Sequence, residues 1–190
     1  MNRKIWLTSD FHFNHDKEFI YKARGFETVY DMNRAIIKNF NEVVAPEDDV
    51  YVLGDLMLGG SDRMADGLSL IKQLNGELHI VRGNHDTDTR WEAYHHLYNV
   101  VECENAIYLK YQGHHFYMSH FPTFTANLEK ETLKQCTLNV FGHTHQKTKF
   151  YNDIPFMYCV GLEAHGCAPV NIDDVLKDMY IQAQRCKEVL

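Results

Sequence analysis

The sequence predicts an α/β domain built on a mixed sheet or two packed sheets, and three observations support that class. Short β-rich runs alternate with amphipathic stretches as far as residue 98. Strands then follow in succession and a single helical stretch closes the chain. Polar clusters fall at the C-terminal ends of the expected strands, where a layered α/β fold gathers its site on loops held by rigid elements.

The elements follow in order. "KIWLTS" (4–9) is a short apolar run that stops at Asp10. Met32, Ala35, Ile36, Phe40 and Val43 recur near helical spacing, so 31–44 is an amphipathic helix, with Pro46 beyond its end. "DVYVLG" (49–54) is a strand halted at Gly54-Asp55. Ser61 or Asp62 is placed to cap a helix presenting Met64, Leu68, Ile71 and Leu74, closed by Asn75-Gly76. "ELHIVRG" (77–83) is the next strand, and a helix is expected around 88–98. Residues 105–120 read as two alternating strands joined at Gln112-Gly113. "LNVFG" (138–142) is a further strand. A hairpin over 147–152 and 154–161 should turn at Asn152-Asp153, and 171–182 should form the last helix.

The 190 residues suffice for one domain with a sizeable core. The formal net charge is −7 with mixed signs along the chain, which argues against a grip on long duplex nucleic acid. A phosphorylated ligand stays compatible with that charge, because bound metal supplies positive charge locally. Five scattered cysteines without a C-x-x-C fit free thiols in a reducing cytosol, and no run is apolar enough to span a membrane. A cytoplasmic location is expected. Histidine stands out, with twelve in the chain.

Five clusters contain the chemistry: "SDFH" (Asp10, His12), "LGDL" (Asp55), "RGNHD" (Asn84, His85, Asp86), "MSHFP" (His120) and "FGHTH" (His143, His145). They offer carboxylates, an amide oxygen and imidazoles but no thiolate, a donor set suited to Mn, Fe, Zn, Ni or Co. The candidates exceed the needs of one tetrahedral ion, which points to two ions sharing a bridging carboxylate. In an extended D-x-H or H-x-H segment, residues i and i+2 project to the same side, so each pair can converge. The glycines before Asp55, Asn84 and His143 leave room for sharp turns.

In that order, D-x-H, G-D, G-N-H-D, a later lone His and G-H-x-H resemble the calcineurin-like metallophosphoesterase family, from about residue 5 to residue 161. The short form, with "HFNH" after the first Asp, is similar to small stand-alone bacterial or phage members. The resemblance implies a two-layer β-sandwich of mixed sheets flanked by helices. It implies that Asp10, His12 and His145 bind one divalent ion, that Asp55 bridges, and that Asn84, His120 and His143 bind the second. His85 would stay unligated and act on substrate, with Asp86 behind it to orient it. Two divalent ions against two carboxylates leave roughly +2, enough to attract phosphate and make a bridging hydroxide accessible near neutral pH. Attack by that hydroxide, with a proton from His85 for the leaving alkoxide, completes the expected mechanism.

The commoner alternatives differ by residue. Asp10 and Asp55 alone would read as strand-end turn residues, and Gly83-Asn84 as a turn pair. His79, His95, His96, His114, His115 and His165 lack a motif and read as ordinary surface, core or loop histidines. His15, three residues past His12, is a candidate substrate or supporting residue. Arg24 and Arg82 are candidate phosphate contacts, weighed against a solvated face. Phe11, Phe13 and Phe121 flank ligands and are expected to form a dry wall of the site. The leading function is hydrolysis of a phosphate ester in a small molecule or nucleotide, with diester favoured slightly over monoester. The alternatives are a non-catalytic scaffold of the same fold and a nuclease acting on short single strands. Scaffolds tend to lose ligands or the acid histidine, and this chain has every one of them.

Overall fold

The structure, a computed structural model, describes residues 3–125 and 132–188. Nine strands form two sheets among these residues. The first sheet has the order β4-β3-β2-β1-β9, from β1 (Ile5–Thr8), β2 (Asp49–Leu53), β3 (Glu77–Val81), β4 (Val100–Glu104) and β9 (Val170–Asn171). Strands β1 to β4 are parallel and β9 pairs antiparallel to β1. The second sheet has the order β5-β6-β7-β8, from β5 (Ile107–Tyr111), β6 (His114–Ser119), β7 (Thr137–Phe141) and β8 (Met157–Cys159). Its β5–β6 pair is an antiparallel hairpin, while β6–β7 and β7–β8 are parallel. Both sheets are therefore mixed, as expected.

Alternation along the strands builds two apolar cores, because successive side chains leave opposite faces of a sheet. Leu7, Tyr51, Leu53 and Val81 face one core, shared with Phe116, Met118, Leu138, Val140 and Tyr158 of the second sheet. Val50, Val52, Leu78 and Ile80 face the other, shared with Met32, Ile36 and Phe40 of α2 (Val29–Val43), Ile71 of α3 (Met64–Ile71) and Tyr94 of α4 (Asp88–Tyr94). Val175, Leu176 and Met179 of α5 (Ile172–Glu188) join the core between the sheets. Each such fully buried aliphatic or aromatic side chain contributes about 1.5–3 kcal/mol.

Helix α2 starts on Thr28, whose Oγ1 accepts from the Asp31 N–H at 3.1 Å. A short α1 (Glu18–Tyr21) precedes it. Ser61 and Asp62 lie in a single 3-10 turn instead of capping α3; the cap position falls on Arg63, which makes no side-chain cap bond. Leu74 lies beyond the helix. The expected hairpin over 147–161 is also incomplete. Its first arm contributes only an isolated Phe150–Tyr158 bridge, and Tyr151–Asp153 form a 3-10 turn. Asn152 at φ 47° and Asp153 at φ 60° are left-handed rather than extended, so the segment before β8 adds no hairpin strand beyond that bridge, and β8 pairs in its sheet with β7. No described helix is long and apolar enough to cross a membrane.

The layout fixes where a site can form. Asp10, Asp55, Asn84, His120 and His143 follow the C-terminal ends of β1, β2, β3, β6 and β7, so both sheets deliver side chains to one rim.

Candidate metal centre

The two D-x-H and H-x-H pairs converge, but by a different backbone from the extended one expected. Asp10, His12, His143 and His145 have φ of 59°, 50°, 67° and 48°, and Asp55 has 56°. Left-handed backbone is costly for non-glycine residues and persists where surrounding structure enforces it, commonly at functional sites. The enforcing bonds are visible: the Asp10 N–H donates to Gly54 O, and the His12 N–H to Asp55 O, both at 3.0 Å. The glycines make room. A Cβ on Gly83 would meet Asp55 Oδ1 at 2.2 Å, and one on Gly142 would meet Ser9 Oγ at 2.5 Å and Asp10 Oδ2 at 2.6 Å.

Both carboxylates are anchored by neighbouring groups and still face the imidazoles. Asp55 Oδ1 accepts the His85 N–H at 2.8 Å, while its Oδ2 lies 3.7 Å from His12 Nε2, 3.5 Å from His120 Nε2 and 4.0 Å from His85 Nε2. Asp10 Oδ2 accepts from Ser9 Oγ at 2.6 Å, both of its oxygens share the His143 N–H, at 3.0 Å for Oδ2 and 3.2 Å for Oδ1, and Oδ1 lies 4.0 Å from His12 Nε2.

The imidazoles are oriented from behind. His120 Nδ1 meets Leu53 O at 2.8 Å and His145 Nδ1 meets Glu163 Oε1 at 2.8 Å, so each Nε2 faces inward. His12 Nε2 and His145 Nε2 stand 3.1 Å apart. On the other side, Asn84 Oδ1 lies 2.9 Å from His120 Nε2 and 2.8 Å from His143 Nδ1. With Nδ1–H spent on Leu53 O and Glu163, the inward atoms are mostly lone-pair donors facing one another.

That is the donor arrangement a cation resolves, and it tests the fit of a metal directly. Two triads of potential ligand atoms lie within 4.8 Å of one another, Asp10–His12–His145 and Asp10–Asp55–His120. Their oxygen and nitrogen chemistry suits a borderline divalent transition metal. The triads share Asp10, but Asp55 Oδ2 faces a histidine of each, so both carboxylates are positioned between the two halves. Burial raises Asp10 to about 6 and, with the neighbouring His145 and Arg24, drives His12 well below its ordinary value. Ionic forms there are costly without a counter-charge. His12 Nδ1 is buried without a hydrogen-bond partner.

Four residues sit differently from expectation, in three places. The Arg24 side chain is 0% exposed and reaches no open surface where a phosphate could meet it. Its Nη2 donates to Asp10 O at 2.7 Å and lies 2.8 Å from Glu163 Oε1, its Nη1 donates to Phe11 O at 3.0 Å, and its Nε donates to Glu163 Oε1 at 2.9 Å. A phosphate contact at Arg24 is thus replaced by a strap: one guanidinium holds the Asp10–His12 turn and, through Glu163, the ring of His145. The Glu163 carboxyl is lowered to about 2; burial opposes this, and the bonds from His145 and Arg24 outweigh it. Glu163 was invisible as a site residue in sequence; its only signal is its place two residues past Gly161, after the last strand of the second sheet.

Asp86 likewise does not touch the His85 ring. Its Oδ2 accepts the N–H groups of Asp55 and Gly83, both at 2.8 Å, and its Oδ1 accepts the Leu56 N–H at 3.3 Å and Tyr94 Oη–H at 3.0 Å. It ties the Asp55 loop to the Asn84 loop. His85 itself is 42% exposed on its side chain, held by its N–H to Asp55 and by Arg90 Nη1 donating to its carbonyl at 2.5 Å.

The third departure is among the aromatics. Phe11 and Phe13 are fully buried in the helix-side core, whereas Phe121 is 49% exposed beside His143. His15 is brought to 5.3 Å from the His12 ring, and burial lowers it. Arg82 donates to Asp86 O at 2.9 Å, pairs with Asp88 and lies over Trp91.

Residues 4–160 match the calcineurin-like phosphoesterase superfamily domain. The chain belongs to that superfamily. Within it, an uncharacterized protein of Methanocaldococcus jannaschii, MJ1445, is 33% identical over 184 residues, covering 92% of this chain and 90% of its own. The gene 66 protein of Mycobacterium phage L5 is 24% identical over 160 residues, 74% of this chain and 76% of its own. Among solved structures, the protein of unknown function AQ665 from Aquifex aeolicus superposes with a TM-score of 0.68 at 24% identity, over 93% of this chain and 99% of that one. This likeness is one of fold. The family, the buried Asp/His groups and the two mixed sheets agree with one another.

Proposed function

We propose that this superfamily member is a dinuclear metal-dependent phosphoesterase that hydrolyses the phosphate ester of a small molecule or nucleotide, with diesters slightly favoured. The observation that supports it most is the set of oxygen and imidazole nitrogen atoms from Asp10, His12, Asp55, Asn84, His120, His143 and His145 that both sheets bring to face one another at one rim. Asp10, His12 and His145 would hold one ion, Asn84, His120 and His143 the other, and Asp55 would serve both; Mn, Fe, Ni, Zn or Co fits the donors. When bound, such ions supply Lewis acidity and a nucleophilic water at neutral pH.

The chain's own residues do the rest. Two carboxylates against two divalent charges leave the locus positive, at roughly +2, within an acidic protein, so a phosphate is drawn to it. His85 is fixed by both its N–H and its carbonyl, while its ring stays half open between Asp55 and solvent. It is the group suited to give a proton to the departing alkoxide. Asp86 supports that geometry through the backbone. A scaffold reading finds no support in a constellation that lacks none of its members. Five scattered cysteines without a C-x-x-C fit a reducing, cytoplasmic setting.

A hydrolysis panel of mono- and diesters, nucleotides and cyclic nucleotides, run with Mn, Fe, Ni and Zn, tests the reading. Metal-dependent turnover with a diester ahead is expected. No turnover of any ester with any metal would count against it.

A further inference from the structure

On the His120 side of the metal centre lies a recess of about 340 Å³, bordered by Arg82, Asn105, Tyr117, His120, Phe121 and Thr123. Small-molecule sites run from about 300 Å³ upward. Its lip is Phe121, whose ring lies 4.6 Å from His143 and 5.0 Å from His120, edge-on to both, yet is 49% exposed.

That exposed phenyl is held by a buried polar network. The Phe121 carbonyl accepts from Ser119 Oγ at 2.8 Å and from Thr123 Oγ1 at 3.0 Å. The Thr123 N–H donates to Asn139 Oδ1 at 2.8 Å, and Asn139 Nδ2 donates to Tyr117 O at 3.1 Å and Ser119 Oγ at 3.0 Å. Asn139 is fully buried on β7. A buried amide is costly unless its groups are bonded, and here every bond named goes to β6 or to the turn that follows it. The turn presents an aromatic face beside two metal-ligand candidates in a fixed position.

The neighbouring recess on the other side, beyond His15, differs in chemistry. It measures about 410 Å³ and is lined by the charged residues Asp16, Lys17, Asp62 and Arg63. Its rings are His15, 5.3 Å from the His12 ring, and Phe19 edge-on to His15 beyond it, whereas on the His120 side Phe121 itself touches two ligand candidates.

We propose that the recess beside His120 receives the organic group of the ester, and that this group brings a flat ring, aryl or nucleobase, onto Phe121. The inference rests on the phosphoesterase reading. With phosphate held by the ligand cluster, a substituent must leave the centre sideways, and the His120 side meets it with an aromatic lip and neutral polar groups on Asn105 and Thr123. Ring on ring is favourable in offset or edge geometry and tolerates many bases.

Two inert probes separate the claims: methylphosphonate, and benzylphosphonate, whose methylene stands where an aryl ester's bridging oxygen would. Binding to the Mn-loaded protein should favour benzylphosphonate on the order of ten-fold. Phe121→Ala should erase that margin while leaving methylphosphonate binding and metal content unchanged, and Phe121→Trp should restore it. Equal binding of the two probes to the wild type, or a margin that survives Phe121→Ala, overturns the inference alone. If neither probe binds, the phosphoesterase reading falls and takes the inference with it.

Discussion

The first sheet buries polar side chains at both ends of its strands, and the two ends treat them in opposite ways. At the N-terminal end, Asp48 accepts from the Lys4 N–H at 2.9 Å, the Ala45 N–H at 3.0 Å and Trp6 Nε1 at 2.9 Å. Nearby, Asn75 Nδ2 donates to Val44 O at 3.0 Å, and Asn99 Nδ2 donates to Ile71 O and Leu74 O, with only its Oδ1 left over. These residues close turns, and their polarity is spent mostly on backbone. At the C-terminal end, where β6 of the second sheet also delivers His120, Asp10, Asp55, His12 and His120 each keep an atom turned toward another potential ligand atom. Burial of polar groups is therefore common to both ends. What marks a site is that the inward atoms remain unspent.

If that contrast is right, substitutions at the two ends should fail differently. The largest effect is expected from Asp55→Ala, which removes the carboxylate facing both halves. Both ions should be lost together and turnover should fall to background; retention of one ion, read by metal analysis after gel filtration, would argue against the shared position. His85→Ala should keep the metals and lower kcat on the order of 10²–10⁴-fold, as removal of a general acid does. Full activity in that variant would remove His85 from the reaction.

The strap comes next. Glu163→Gln and Arg24→Met should each weaken one of two metal affinities by about 10–100-fold, the usual effect of losing a ligand's outer partner, and leave the second within error. Two-site calorimetry reads this without any turnover; equal loss at both sites would mean general destabilisation.

At the opposite end, Asp48→Ala should leave kcat and metal content alone and cost roughly 3 kcal/mol of stability in urea, from three lost hydrogen bonds at about 1 kcal/mol each net of water. Burial pushes the Asp48 carboxyl up, but the N–H groups of Lys4 and Ala45 and the Trp6 indole hold it below its ordinary value. A depressed folded pKa stabilises above the unfolded value, about 3.9, and is lost as pH falls through the lower folded value. The gap between wild type and variant should thus be full at neutral pH and shrink below about pH 4.

The contrast also explains what could be read from sequence. The alternation of strands and helices in the first half and the five clusters were legible because periodicity and strand-end chemistry are local signals. The left-handed turns at Asp10, His12, His143 and His145 were not, since sequence spacing alone cannot distinguish convergence by pleat from convergence by turn. Arg24 misled because a guanidinium suits phosphate and carboxylate alike, and its partner Glu163 lies 139 residues away. Asp86 stands next to His85 in the chain but points to Asp55 and Tyr94, because the loop reverses between them. Strand β4 escaped notice as its Val100–Glu104 run leaves several residues open and lacks a clean period.

The central claim is that the unspent atoms form one two-ion site. Titration of metal-free protein with Mn²⁺, followed by electron paramagnetic resonance, tests it most directly. The account predicts about two ions per chain whose signals are spin-coupled, as expected for ions within about 3.5–4 Å of each other. A stoichiometry near zero, or two ions with independent signals, would contradict it.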